Sequence, residues 1–461
     1  MSAAPARGPY DPRYDPLTDP GPGTNREYAP TYWIATAGAP PPDDGPVRAD
    51  FDADVVVIGS GYTGLSCAIH LAREYGLQPV VLEANQVAWG CSTRNGGQAQ
   101  ISAGRLKRSE WVARWGLETA RGMHAEIAQA FELFRGLLRE AEMDCDPQVG
   151  GHLHLAHRHR SLRQLEAESR LLNELFNYPA RVLGVEQLRE QHVNEHEAVG
   201  ALYEPDGIGV HAAKLAFGYL RLARRLGARV HTASPVLAWS AREGRHWLAT
   251  PGGTVRARAV AIATAGYAAP SLHPVTRHRL FPVLSNSIVT RPLSSAELAH
   301  CGIRSKAFYT DTRTLRHYYR ALPDGRMQIG SRSAVTGADA TNPRHLERLR
   351  ESLARKFPAL AGIDLDYSWW GWVDVSHDLM PRIYQPDSAQ TVYYALAYGG
   401  NGVMYSAQAG RRLAQLVARR GELPRLPIFQ SPLPGRGILT PFRRLGQRLL
   451  YAWYHAKDEA R

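Results

Sequence analysis

Residues 54–64 read Asp-Val-Val-Val-Ile-Gly-Ser-Gly-Tyr-Thr-Gly, a β-branched run that stops at a Gly-x-Gly-x-x-Gly turn. An apolar run ending in glycines has the pattern of a buried parallel strand. Residues 62–75 then read as a helix and 79–82 as a second strand. A strand–helix–strand unit of about 30 residues is the context a dinucleotide-binding turn requires. Gly59 makes the tight turn, Gly61 lets a pyrophosphate approach the backbone, and Gly64 lets helix and strand pack closely. Gly59, Ser60, Gly61, Tyr62, Thr63 and Gly64 thus offer the N–H groups of a helix N-terminus to phosphate. Glu83 ends the second strand, placed to accept from ribose hydroxyls. An acid there disfavours a 2′-phosphate, which leaves FAD or NAD(H).

A second loop chooses between them. Gly90-Cys91-Ser92-Thr93-Arg94-Asn95-Gly96-Gly97-Gln98 follows within a few residues. Its small and polar residues suit a large, flat, polar ligand. Backbone N–H groups, the Ser92 hydroxyl and Arg94 can reach phosphate or flavin oxygens.

With Leu82-Glu83-Ala84, these motifs resemble the FAD-dependent D-amino-acid-oxidase-like superfamily, which includes glycine oxidase and sarcosine oxidase. The subgroup most resembled is the gamma-glutamylputrescine oxidase-like enzymes, to which Thr31-Tyr32-Trp33 is also similar. The likeness runs over about residues 30–455. It implies non-covalent FAD. Cys91 and Thr93 replace the subgroup's usual Ala and Gly, and Cys91 reads as a small packing residue. Further segments follow the family order. Val236, after Ala233-Ser234-Pro235, inherits backbone contacts to adenine. Ala265, Gly266 and Tyr267 follow a strand and bring the chain close to the flavin. Asp378 and Pro381 match a Thr-x-Asp-x-x-Pro pattern. Gly399, Gly400, Asn401, Gly402 and Val403 match a turn that points a helix N-terminus at the flavin, with Asn401 where His is frequent. That positive helix end would stabilise the negative charge of reduced flavin.

The resemblance implies a mixed α/β fold of the glycine oxidase and sarcosine oxidase type. A Rossmann-like FAD-binding domain comes from non-contiguous segments, 51–104, 200–270 and 360–425. A substrate domain with helices and an antiparallel sheet takes 105–199 and 271–359. Residues 1–50, rich in Pro and Gly, read as an extended or partly disordered arm. Residues 426–461 form a basic amphipathic segment. It either docks on its own domain or makes weak peripheral contact with an anionic membrane. Residues 105–200 read as largely helical, and the His run at 152–159 as a solvated strand or turn. Strand alternation recurs at 281–290, 315–322 and 326–330.

An amine oxidase of this kind transfers hydride from the substrate's α-carbon to flavin. Positioning and dehydration do most of the work, so no acid–base dyad is required. The catalytic candidates are His377, beside the flavin motif, and Tyr267. For substrate the candidates are Arg320, Tyr318, Trp372 and Tyr267. Arg320 would clamp a carboxylate or pair with a local acid; Trp372, with Trp370, would wall a channel or sit in the core.

Composition removes other classes. The net charge is +12, but no zinc-finger, RNP or basic-zipper pattern accompanies it, so nucleic acid is not an expected partner. Four scattered cysteines without Cys-x-x-Cys argue against disulfides and against a Cys-based metal site. No run of about 18 apolar residues suggests a transmembrane helix. No apolar signal segment appears among the first 30 residues, and the expectation is cytoplasmic. The leading expectation is an FAD-dependent amine oxidase with O2 as acceptor. Its substrate would be gamma-glutamylputrescine or a similar N-acylated diamine or amino compound. The alternatives are an amine or amino-acid dehydrogenase feeding a quinone or carrier, and a non-catalytic flavin-binding redox sensor.

Overall fold

A computed structural model describes residues 7–435 and 442–459. The strand Phe51–Ile58 (β1), the helix Tyr62–Tyr75 (α1) and the strand Pro79–Leu82 (β2) form the expected unit. β1 and β2 run parallel, Val55 opposite Pro79 and Ile58 opposite Leu82. Val56, Val57, Val80 and Val81 are fully buried, because helices or loops cover both faces of a parallel sheet. Gly253–Ile262 runs parallel on the other side of β1, with Val392–Leu396 parallel to its far end. Arg229–His231 extends the sheet beyond β2. An antiparallel hairpin, Ala238–Arg242 and Arg245–Thr250, closes one edge.

The helix Gly402–Ala418 lies against α1. A Cβ on Gly410 would stand 2.6 Å from Ser66 Cβ and 2.7 Å from Thr63 O, and Ser66 Oγ donates to Ala407 O at 2.7 Å. Small residues let the two backbones approach. Their N-terminal turns therefore reach the same cavity wall.

A second eight-stranded sheet stands beside the first. Its order is Leu365–Val373, Val283–Thr290, Met327–Ser331, Tyr318–Ala321, Phe308–Asp311, His152–Leu155, Gly200–Glu204 and Arg181–Gly184. Pairing is antiparallel except between Phe308–Asp311 and His152–Leu155. Two strands differ from the expected segments. Gly200–Glu204 and Leu365–Val373 fall within 200–270 and 360–425, yet both pair in this second sheet. Long helices fill Arg108–Leu138 and His159–Phe176, but 105–200 also carries strands. Of the His run, His152 and His154 lie on one of them and are withdrawn from solvent to different degrees, His157 is half-buried beyond it, and His159 is exposed at the start of a helix. His152 is buried, its Nε2 against Thr310 Oγ1 at 2.7 Å and its Nδ1 against Glu204 Oε2 at 3.2 Å.

Residues 7–50 are a packed strap, not a loose arm. Tyr14, Tyr32, Trp33 and Val47 are buried. Trp33 Nε1 donates to Asn95 O at 2.8 Å and Thr31 Oγ1 to Thr93 O at 3.1 Å. In return Trp89 Nε1 donates to Glu27 O at 2.7 Å. Overall Pro content hid the aromatic anchors that order the segment. At the other end, the helix Arg443–Glu459 docks through polar groups: Arg444 pairs with Asp15 at 2.8 Å, and Asp458 accepts from Leu315 N at 3.0 Å. Among the described residues no helix is long and apolar enough to cross a membrane.

Candidate active site

Two cavities meet along the edge of the first sheet and share Gly61, Cys91, Ser92, Ala263 and Ala265. The glycine turn closes one side. Gly59 has φ +102°, and a Cβ there would lie 2.7 Å from Ala263 O. A Cβ on Gly64 would lie 1.9 Å from Gly59 O, so Gly64 serves packing, as its place in the motif implied. Glu83 faces the cavity that Ala84, Gly90 and Val236 also line. Ser60 lines neither cavity. Its N–H and Oγ donate to Glu83 Oε2 at 2.9 and 2.8 Å and aim the carboxylate. Burial raises the Glu83 carboxyl above the usual range despite those bonds. The N-terminal strap walls this cavity with Asp11, Tyr14 and Pro20.

The 90–98 loop forms the junction. Its turn Cys91–Thr93 is held by Asn95 Nδ2, which donates to Cys91 O and Ser92 O at 3.1 Å. Ser92 Oγ accepts from Tyr62 N at 3.0 Å. Burial pushes the Cys91 thiol up to about 12, which favours the neutral thiol over the thiolate. Arg94 is buried, and its Nε and Nη2 have no partner. Its guanidinium lies 4.2 Å from the Trp89 ring centroid and 5.4 Å from that of Tyr267.

The other cavity runs from this loop towards the second sheet. Tyr62, Thr63, Asn95, Gly96 and Gln98 line it, as do Gly399, Gly400, Asn401, Gly402 and Val403. The helix Gly402–Ala418 has no side-chain cap. Asn401 instead accepts from Gln100 Nε2 and donates to Gly104 O, leaving the helix-end amides to face the cavity. Asp374 also lines it; burial raises its carboxyl to about 6. Tyr318 stands on the far wall, its hydroxyl between Ser285 Oγ at 3.0 Å and Ser287 Oγ at 2.9 Å.

A family model described as "DAO: FAD dependent oxidoreductase" matches residues 54–416. The chain belongs to this FAD-dependent oxidoreductase family. Gamma-glutamylputrescine oxidoreductase of Escherichia coli (strain K12) is 32% identical over 446 residues, 94% of this chain and 99% of that protein. Probable oxidoreductase OrdL of Haemophilus influenzae (strain ATCC 51907 / DSM 11121 / KW20 / Rd) is 28% identical over 383 residues, 82% of this chain and 85% of that one. Glycine oxidase from Geobacillus kaustophilus superposes with TM-score 0.70 at 20% identity, over 83% of this chain and 100% of that chain. That likeness is one of fold.

The residues present fit FAD. A buried guanidinium without a partner is costly unless a ligand supplies acceptors, and Arg94 is such a group. Thr264 Oγ1, on the wall of the Glu83 cavity, is likewise buried and unpaired. The uncapped helix end and the glycine turn add backbone donors.

Several expected residues of this FAD-dependent oxidoreductase lie elsewhere. Arg320 is buried behind the cavity and lines neither one. Its Nη2 donates to Val210 O at 2.6 Å and its Nη1 to Gln148 Oε1 at 3.2 Å. Gly97 packs on this same cluster: a Cβ there would stand 2.2 Å from Val210 O. Trp372 is core; its Nε1 donates to Tyr14 O at 2.9 Å. Tyr267 lines the Glu83 cavity instead of the Tyr318 one. Its hydroxyl accepts from Trp372 N at 2.9 Å and its ring stacks on Tyr14. Gly266 packs against Val373 and Asp374. His377 is exposed and lines neither cavity. Asp378 and Pro381 also lie off both walls: Asp378 pairs with Arg382, and a Cβ on Gly104 would meet Leu379 O at 2.6 Å and Pro381 Cδ at 3.0 Å. That segment buttresses Gly104 and Arg105. Missed by the sequence reading were Arg105, Arg316, Arg332, Thr310 and Asp374, which line the Tyr318 cavity. Arg316, Tyr318 and Arg320 stand two residues apart in the expected strand 315–322, so the pattern alone could not tell which arginine faced the opening; the strand itself begins at Tyr318.

Proposed function

We propose that this FAD-dependent oxidoreductase oxidises the CH–NH bond of a small amine. Gamma-glutamylputrescine or a related N-acylated diamine or amino compound is the first substrate class to test. The carrying observation is the continuous cleft that joins the glycine turn and Glu83 to the Arg- and Tyr318-lined wall of the second sheet. The 32% identity to gamma-glutamylputrescine oxidoreductase supports the choice of substrate.

Non-covalent FAD would be held by the turn Gly59–Gly64, Glu83, Val236, Arg94 and the Gly402 helix end. Bound there, FAD would supply a hydride acceptor for the substrate's α-carbon, with O2 as the proposed oxidant that regenerates it and forms H2O2. This chain's residues supply position and electrostatics. The walls exclude water from the reacting carbon. The uncapped helix end favours negative charge beside it. No side chain need take up a covalent bond. The imine product leaves and hydrolyses to an aldehyde.

The test is the absorbance of purified holoenzyme during anaerobic addition of gamma-glutamylputrescine, followed by air. Bleaching near roughly 450 nm, recovery in air and stoichiometric H2O2 are expected. A band that never bleaches with any amine rejects the reading.

A second reading, a dehydrogenase that feeds a quinone at an anionic membrane, has one observation in its favour. Phe442, Leu445, Leu449, Leu450 and Trp453 are exposed beside Arg448, so the helix turns apolar side chains outward. An amphipathic basic helix of this kind suits a lipid surface. Flotation with anionic vesicles that Trp453→Ser and Leu449→Ser abolish, together with sluggish reoxidation by O2, would favour this reading over the oxidase.

A further inference from the structure

Three guanidinium groups, those of Arg105, Arg316 and Arg332, face the Tyr318 cavity. They come from separate places: the loop after Gln98–Gln100, the approach to Tyr318–Ala321 and the exit from Met327–Ser331. Among the described residues none of the three forms an ion pair. Arg105 Nη1 donates to Gly399 O at 3.1 Å and Arg332 Nη2 to Thr314 O at 2.8 Å, both neutral acceptors. Arg316 Nε is buried with no partner. The one acid among the residues lining this cavity is Asp374, whose carboxylate accepts from Ala397 N at 2.5 Å.

Two arginines elsewhere are neutralised by acids, whereas buried Arg320 has only neutral acceptors. Arg313 meets Asp311 and Glu197 at 2.9 Å each, and Arg412 meets Glu126 at 2.7 Å. Like charges gathered without counterions are costly in a partly dehydrated site. The crowding is felt: Arg332, burial and Arg316 all push the Arg105 guanidinium down, and burial and Arg332 lower Arg316. Arg94 lines the same cavity but is stacked among aromatic rings at the junction with the Glu83 cavity, where the cofactor fits.

We propose that this wall is a dianion site: the substrate is an amine whose skeleton carries two acid groups, bound by Arg105, Arg316 and Arg332. One carboxylate satisfies one or two guanidinium forks and leaves the third without a counterion. A second acid group completes the set. The inference rests on the amine-oxidase reading for the amine and narrows its substrate to an amino compound with a second acid group, which gamma-glutamylputrescine, with its single carboxylate, lacks; the anion site is testable without turnover. It also gives the cations a part in the chemistry. A cationic wall disfavours the ammonium form of a bound amine, and hydride transfer needs the neutral amine.

The experiment is a titration of the holoenzyme's flavin absorbance with glutarate and with butyrate, two unreactive probes of similar size that differ by one charge. Glutarate is expected to bind at least about tenfold more tightly. Arg316→Gln and Arg332→Gln should each weaken glutarate about tenfold, and butyrate less, with FAD content unchanged. If Arg316→Gln does not fold, Arg332→Gln gives the same reading. Equal binding of the two probes overturns the proposal. Loss of FAD from the variants also overturns it, by assigning the arginines to the cofactor. Arginine-dependent glutarate binding in an enzyme that no amine reduces supports the anion site and rejects the oxidase reading instead.

Discussion

Arg94 concentrates the argument for a bound cofactor in one side chain. A buried guanidinium with two unpaired nitrogens and aromatic neighbours gains most when a ligand brings acceptors. Arg94→Met should weaken FAD binding about 10- to 100-fold, since charge-assisted hydrogen bonds contribute roughly 1.5–3 kcal/mol. Fluorescence titration of apoprotein with FAD measures this, and unchanged affinity would remove Arg94 from the cofactor's contacts. Cys91 makes the opposite prediction. Its thiol sits where the cavities join but is held neutral by burial. Cys91→Ala should keep the flavin content of the parent. Acid precipitation of the parent should leave the flavin in the supernatant; flavin retained in the pellet would contradict non-covalent binding.

At the scale of elements, the second sheet depends on a buried charge cluster. Lys356, at the end of the helix Arg344–Lys356, meets Glu195, Glu197 and Asp311 at 3.1 Å each. It ties that helix to the strand Phe308–Asp311 and to the loop before Gly200–Glu204. Lys356→Met leaves the buried Glu195 carboxylate without its cation, while Asp311 and Glu197 keep Arg313, and should cost about 3–5 kcal/mol, read as a lower urea midpoint. The same cluster makes the fold sensitive to acid. Burial pushes the Glu197 carboxyl up, but Lys356 and Arg313 outweigh it and hold it at about 2. A carboxyl depressed in the folded state stabilises the fold above its unfolded value of about 4.5, and that contribution fades as pH falls towards 2. Its size is about 3 kcal/mol. The urea midpoint should therefore drop between pH 4.5 and 2, and the Glu197→Gln variant should show a shallower drop.

At the scale of the whole molecule, the cleft is made by the meeting of parts remote in sequence. The strap Tyr14–Arg26, the turn at Gly59, the second sheet and the helix from Gly402 all face it. A ligand that touches all of them should couple their stabilities. FAD at about 100 times its dissociation constant adds about 2.7 kcal/mol, so Tm should rise by a few degrees over the apoprotein. Calorimetry at two FAD concentrations checks this. No rise would mean that the folded chain does not use the cleft for FAD.

Local chemistry was legible in the sequence. The turn at 59–64, Glu83 and the loop at 90–98 could be placed without coordinates, because glycines at a strand end and an acid at the next strand end are conditions on neighbouring backbone. Strand alternation at 281–290, 315–322 and 326–330 was readable for the same reason, and strands form within a few residues of those bounds. What the sequence withheld depends on direction and partnership. It marked Arg320 and Trp372, and the tertiary structure turned both into the core, giving their donors to Val210 O and Tyr14 O. It passed over Arg316, two residues from Tyr318, because Arg316 and Arg320 hold equivalent places in the alternation of residues 315–322, although the strand begins only at Tyr318. It took residues 1–50 for an extended or partly disordered arm, of which 1–6 lie outside the described residues, since Pro and Gly content does not say that Tyr14 and Trp33 find buried partners. A motif is set by residues a few bonds apart and survives in the sequence. A side chain's counterion is set by which remote elements fold against it, and here only the tertiary structure brought Arg105, Arg316 and Arg332 to one wall.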